Sequence, residues 1–135
     1  METFKIVYLI DDDPLVNMIN QRVLYLANFS SRVVVYSKAT LALKALNQLI
    51  TTNPEEFPEV IFLDTNMPEM DGWGFIEEFN KFPENILEIC KLYILSSSID
   101  IKEINRAKTY KTVQDFISKP LSIGLLEGIG NSFIK

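Results

Sequence analysis

Short apolar runs alternate along this chain with stretches in which apolar residues recur at helical spacing. Phe4 to Ile10 (FKIVYLI) is almost unbroken apolar and β-rich, the pattern of a strand covered on both faces. Asp13-Pro14 follows, an acceptor side chain before a proline suited to a first helical turn. Leu15, Ile19, Val23 and Leu26 then mark a predicted buried stripe. Arg32 to Tyr36 (RVVVY) predicts a second strand, and Ser37 a cap for a helix carrying Leu41, Ala45, Leu46 and Leu49 that closes near Asn53-Pro54. Val60 to Leu63 (VIFL) predicts a third strand ending at Asp64, after which the loop TNMPEMDG leads to a helix with Phe75, Ile76 and Phe79 on one face. Trp73, at the start of that helix, reads as a packing residue. Leu92 to Leu95 (LYIL) predicts a fourth strand ending at Ser96, and Asp100 a cap for a helix holding Ile101, Ile104 and Ala107. Phe116-Ile117 is a short last strand before Ser118-Lys119-Pro120. Leu121, Leu125, Ile129 and Phe133 recur every four residues as a final helix, which Gly124, Gly128 and Gly130 weaken by about 1 kcal/mol each relative to alanine.

A strand followed by a helix, five times over, implies an α/β domain, (βα)5, with a mostly parallel sheet and helices on both faces. Right-handed crossovers leave few topologies. The favoured one is a doubly wound, flavodoxin-like, five-stranded parallel sheet in the order 2-1-3-4-5. The 135 residues fit one domain, 1–135, without room for a second.

Composition adds mainly exclusions. Thirteen basic against eighteen acidic residues give a net charge of −5 and no basic face, so a nucleic-acid partner is not expected. The absence of histidine removes Ser-His and Cys-His triads and every His-ligated metal site. Cys90 is the single cysteine; it lies in an apolar run, predicts a small buried side chain and points to a reducing, cytoplasmic setting. METFKIVYLIDDDP lacks a basic flank and a small-residue cleavage site, so neither a leader nor a membrane span is expected there.

In open α/β sheets, ligands bind beyond the carboxyl ends of the strands. Those ends carry Asp11, Asp12 and Asp13 after strand one, Asp64 after strand three, Ser96 after strand four and Lys119 after strand five. Carboxylates crowded together repel unless a cation joins them. A hard divalent ion that prefers oxygen, uses few protein ligands and keeps several waters fits, which is Mg²⁺, with Mn²⁺ tolerated. Phosphoryl transfer needs an in-line nucleophile and neutralised oxygens, and a carboxylate can be that nucleophile. The metal, the Lys119 ammonium and the Ser96 hydroxyl can each take one of the transferring oxygens. Asp13 reads as the helix cap alone.

Asp11-Asp12 after an apolar strand, the run Asp64-Thr65-Asn66-Met67-Pro68-Glu69-Met70-Asp71-Gly72, Ser96 after LYIL, and Lys119-Pro120 together resemble the receiver domain of bacterial two-component response regulators. The likeness is to the single-domain, chemotaxis-regulator type, and it covers essentially the whole chain in order and spacing. It implies that Asp64 is the phosphoacceptor, and that Asp11 and Asp12 hold Mg²⁺, one directly and one largely through water. Asn66 would add its backbone carbonyl to the metal. Ser96 matches the switch hydroxyl and Lys119 the lysine that pairs with the phosphoryl group. Phe116 matches the aromatic switch position, whose ring turns inward when the hydroxyl residue moves toward the phosphate. Asn66 and Ser98 match positions that tune the lifetime of the phosphorylated form, and Lys119-Pro120 matches a cis peptide. Two departures stand out: Ser96 replaces a common threonine, and KTYKTVQ (108–114) replaces a small Gly-Ala segment.

The resemblance implies a phosphorelay protein that takes its phosphoryl group from a sensor histidine kinase or a histidine phosphotransfer protein. Its output surface would be the helix after strand four, strand five and the final helix, docking an unidentified downstream protein. No output domain and no turnover activity are expected, and the chain would be a monomer or a phosphorylation-dependent dimer. Two alternatives remain open. LIDDDPL also reads as the strand and Asp-x-Asp of a haloacid-dehalogenase-type phosphatase, with Asp11 as nucleophile and the NMPEMDG loop unexplained. A pseudo-receiver that only binds partners is the other.

Overall fold

The computed structural model describes residues 3–97 and 100–133. Five strands, β1 (Phe4–Ile10), β2 (Ser30–Tyr36), β3 (Val60–Leu63), β4 (Lys91–Ser96) and β5 (Val113–Ser118), form one sheet in the order β2-β1-β3-β4-β5. Every pairing is parallel. The expected topology is therefore the observed one. The helices are α1 (Pro14–Leu26), α2 (Ala39–Thr52), α3 (Gly72–Phe79), α4 (Glu84–Leu87), α5 (Ile101–Ala107) and α6 (Ile123–Phe133), with a 3₁₀ turn at Pro54–Glu56. The one-turn α4 was not legible in the periodicity, and β5 extends further than Phe116-Ile117.

The pleat sorts alternate residues onto two cores. Tyr8 and Ile10 of β1, Ile61 and Leu63 of β3, and Leu92 and Ile94 of β4 face α2, α3 and α5. Val7, Leu9, Val60, Phe62, Tyr93 and Leu95 face the opposite way, toward Leu24 of α1 and Leu126 and Ile129 of α6. With both faces covered, the central strands tolerate almost no polar residue, which explains their unbroken apolar runs. Phe75, Ile76 and Phe79 are fully buried as their spacing predicts. Cys90 is buried, and burial pushes its thiol pKa up, so it is an inert core residue. Trp73 is buried too, stacked on Tyr110 with ring centroids 6.1 Å apart.

Several predicted stripes are rotated. On α1 the buried residues are Asn17, Asn20 and Leu24, whereas Leu15 and Leu26 are 59% and 54% exposed. Two directional bonds set this rotation: Asn17 Nδ2 donates to the Asp11 carbonyl at 2.7 Å, and Asn20 Oδ1 accepts from the Leu121 N–H at 3.1 Å. On α2, Leu46 is buried as predicted but Leu41 is exposed, with Ala39, Ala42 and Leu43 taking the core face. Lys38, not Ser37, occupies the cap position, and its side chain makes no capping bond. On α5, Ala107 is buried while Ile101 points to solvent. In α6, Leu126 and Ile129 carry the contact and Leu121 packs before the helix begins; the Phe133 side chain lies outside the described residues. Among the described residues, no helix is long and apolar enough to cross a membrane.

Candidate functional site

The sheet order reverses at β1, whose neighbours β2 and β3 follow it in sequence on opposite sides. The connections leaving β1 and β3 therefore diverge and open a crevice at their carboxyl ends. Strand register fills it. Ile10 pairs with Leu63, so the next residues, Asp11 and Asp64, emerge side by side, and the Asp64 N–H donates to the Ile10 carbonyl at 2.9 Å. Asp11 is further held by its N–H on the Tyr36 carbonyl at 3.1 Å. Ser96 pairs with Ser118, and the Lys119 N–H donates to the Ser96 carbonyl at 2.8 Å. The β4 and β5 ends are thereby tied together beside the acidic pair.

One carboxylate oxygen from each of Asp11, Asp12 and Asp64 lies within 4.8 Å of the others. Asp11 and Asp64 are buried, Asp12 is exposed. Lys119 Nζ reaches both buried carboxylates, at 2.6 Å from Asp11 Oδ2 and 3.3 Å from Asp64 Oδ1. Burial first, and then the Asp11 charge, raise the Asp64 pKa, with Lys119 and the Asn66 N–H opposing. Burial pulls the Lys119 pKa down, but its contacts with Asp11 and Asp64 outweigh that and leave it raised. The set is all hard oxygen, grouped closely and short of positive charge apart from one ammonium. Those donors fit a small divalent cation.

The neighbouring loops hold this geometry. Asp13 caps α1, accepting from the Leu15 and Val16 N–H groups, and its own N–H donates to Asp11 Oδ1 at 2.9 Å. After Asp64 the chain passes Glu69, at φ +68°, and closes onto α3, where Asp71 accepts from the Gly74 N–H. Gly72 is required there, because a Cβ would lie 2.6 Å from the Asp64 carbonyl oxygen and 2.7 Å from Thr65 Cα. The Lys119-Pro120 peptide is cis, as the resemblance implied.

The remaining predicted residues take definite places. Asn66 is exposed two residues past Asp64, and its N–H bonds the Asp64 carboxylate. Ser96 is buried at the end of β4. Phe116 is half-buried, packed against the α2–α3 core and lining the groove between α5 and β5 with Ile104 and Ala107. Ser98 lies outside the described residues. Four residues escaped the sequence reading: Asn17 and Asn20, which brace the loops after β1 and β5, and Thr65 and Glu103, joined by a hydrogen bond from Thr65 Oγ1 to Glu103 Oε1 at 3.3 Å. Asn17, Asn20 and Leu24 do follow helical spacing, but polar side chains at those positions read as solvent-facing.

A doubly wound parallel sheet with an acidic, lysine-bridged pocket at its switch point defines a domain of the receiver type. The model of the response regulator receiver domain matches residues 7–129, and the chain belongs to that family. It is 30% identical over 126 residues to a probable C4-dicarboxylate response regulator of Halalkalibacterium halodurans, a match covering 90% of this chain but 47% of that protein's length. A two-component response regulator from Cytophaga hutchinsonii superposes with a TM-score of 0.87 at 28% identity, covering 96% of each chain. A response regulator receiver protein from Dyadobacter fermentans gives a TM-score of 0.81 at 25% identity, covering 93% of this chain and 94% of the other.

Proposed function

We propose that this receiver domain accepts a phosphoryl group on Asp64 from a histidine kinase or a histidine phosphotransfer protein. One observation carries the assignment: of the two buried carboxylates that share the acidic cluster and the Lys119 ammonium, Asp11 and Asp64, only Asp64 opens the run Asp64 to Gly72 that resembles the family's acceptor loop. An Asp64 oxygen attacks the phosphorus of a phosphohistidine. The new P–O bond forms as the P–N bond breaks, and the electron pair leaves with the imidazole. Asp11 and Asp12, with Asp64 and the Asn66 carbonyl, would hold Mg²⁺, which when bound neutralises charge on the transferring oxygens. Lys119 is already in reach of a group on Asp64, and Ser96, which ends the neighbouring strand β4, would offer its hydroxyl to another oxygen.

The added charge then shifts an equilibrium between two surface states. Ser96 and Phe116 are the switch pair, and α5, β5 and α6 are the output face, read by a downstream protein. The protein acts as a signal carrier, with no turnover of an external substrate.

Mass spectrometry after treatment with acetyl phosphate, with and without Mg²⁺, tests the assignment. One phosphate on Asp64, dependent on Mg²⁺ and abolished by Asp64→Asn, is the expected result. Incorporation that persists in that variant and maps to Asp11 would mean a phosphatase-type nucleophile, and no incorporation would mean a binding module.

A further inference from the structure

α5 is fastened to the rest of the domain in an unusual way. Only Ala107 of its seven residues is buried, so apolar packing holds it weakly. Its last turn is clamped instead by Arg106, whose guanidinium lies 4.5 Å over the Trp73 ring, beside the stack of Tyr110 on that indole. Tyr110 in turn donates its hydroxyl proton to Glu77 Oε1 of α3 at 2.7 Å. Its first turn is tied by Glu103, which accepts from Thr65 Oγ1 at 3.3 Å. Thr65 is buried and follows Asp64 directly in the chain. The Thr65–Glu103 hydrogen bond thus joins the acceptor loop to α5, by a route separate from Ser96 and Phe116.

We propose that the Thr65–Glu103 bond is a latch holding α5 in its unphosphorylated place, and that Glu103 is the positioning residue that phosphorylation of Asp64 releases. This inference rests on the phosphoacceptor reading of Asp64. A phosphoryl group brings between about −1.5 and −2 charges at neutral pH, and it disrupts contacts beside an acidic side chain by like-charge repulsion. Glu103 is such a side chain, one residue removed from the acceptor through Thr65. The bond is long enough to be weak, which a releasable contact requires. Linkage makes the effect reciprocal: if a phosphoryl group opens the latch, an opened latch favours binding of a phosphoryl group.

The probe is beryllium fluoride with Mg²⁺, a non-covalent phosphoryl mimic, titrated calorimetrically into the full chain and into Thr65→Val, Glu103→Ala and the double variant. Trp73, the one tryptophan, reports the place of α5 through Arg106. Thr65→Val is expected to tighten binding about fivefold in the native background and to do nothing once Glu103 is alanine. Trp73 emission of both unliganded single variants is expected to move toward that of the liganded native protein. Equal tightening by Thr65→Val in both backgrounds, no tightening in the native one, or unmoved Trp73 emission would overturn the latch. Native protein that takes up no beryllium fluoride would instead refute the phosphoacceptor reading, and the latch with it.

Discussion

Lys119 is bound more closely to Asp11 than to Asp64: its Nζ stands 2.6 Å from Asp11 Oδ2 and 3.3 Å from Asp64 Oδ1. The ammonium is thus the internal counter-charge of the acidic pair, and it occupies carboxylate oxygens that a divalent cation would also seek. Lys119→Met leaves two buried carboxylates unpaired, at a cost of about 3 kcal/mol at neutral pH. Thermal melting is expected to show that loss shrinking as pH falls and Asp64 protonates. Added Mg²⁺ should raise the melting temperature of the variant more than that of the native protein.

The Asp64 pKa is raised in the fold, by burial and then by Asp11. A proton on Asp64 is therefore held more tightly folded than unfolded. Below the ordinary carboxylate range the group is protonated in both states and costs nothing; as pH rises through its raised value, ionisation destabilises the fold. Asp64→Asn is expected to melt about 3–5 °C higher at neutral pH, on the scale of 1 kcal/mol. The gain should vanish in acid below the unfolded carboxylate pKa. Mg²⁺ affinity of the native protein should fall over the same acidic window, because the proton competes for an Asp64 oxygen.

Two glycines should respond in opposite ways to alanine. At Gly72 the new Cβ meets backbone at 2.6 Å, at the Asp64 carbonyl, so the acceptor loop must shift. A loss of about 2–4 kcal/mol by denaturant unfolding, with weakened Mg²⁺ binding, is expected. At Gly128, exposed within α6, nothing lies within 4 Å. Gly128→Ala is expected to stabilise by about 0.5–1 kcal/mol through helix propensity.

Two leucines in the last turn of α1 offer a similar contrast. Leu24 is 1% exposed and packs with Val7, Leu9 and Phe29, whereas Leu26 is exposed by more than half. Chemical denaturation is expected to cost Leu24→Ala about 2–5 kcal/mol and Leu26→Ala less than about 0.5 kcal/mol. A larger loss at Leu26 than at Leu24 would show that the stripe Leu15, Ile19, Val23 and Leu26 is the packed one after all.

Residue order alone determined the alternation of strands and helices, the parallel sheet and the set of strand-end residues from which the site is built. Buried parallel strands must be apolar on both faces, so FKIVYLI, VIFL and LYIL declare themselves, and the polar residue ending each run marks the rim. Asp11, Asp64, Ser96 and Lys119 were legible for that reason.

Helix rotation was not. Periodicity shows that a helix has an apolar face, but α1 turns Leu15 and Leu26 outward because Asn17 and Asn20 bond to the loops after β1 and β5. Those partners are six and 101 residues away in the chain. The Thr65–Glu103 contact, spanning 38 residues, is invisible for the same cause. A directional bond between distant segments has no local period, so only the folded sheet, by fixing register and strand order, decides which side chains meet.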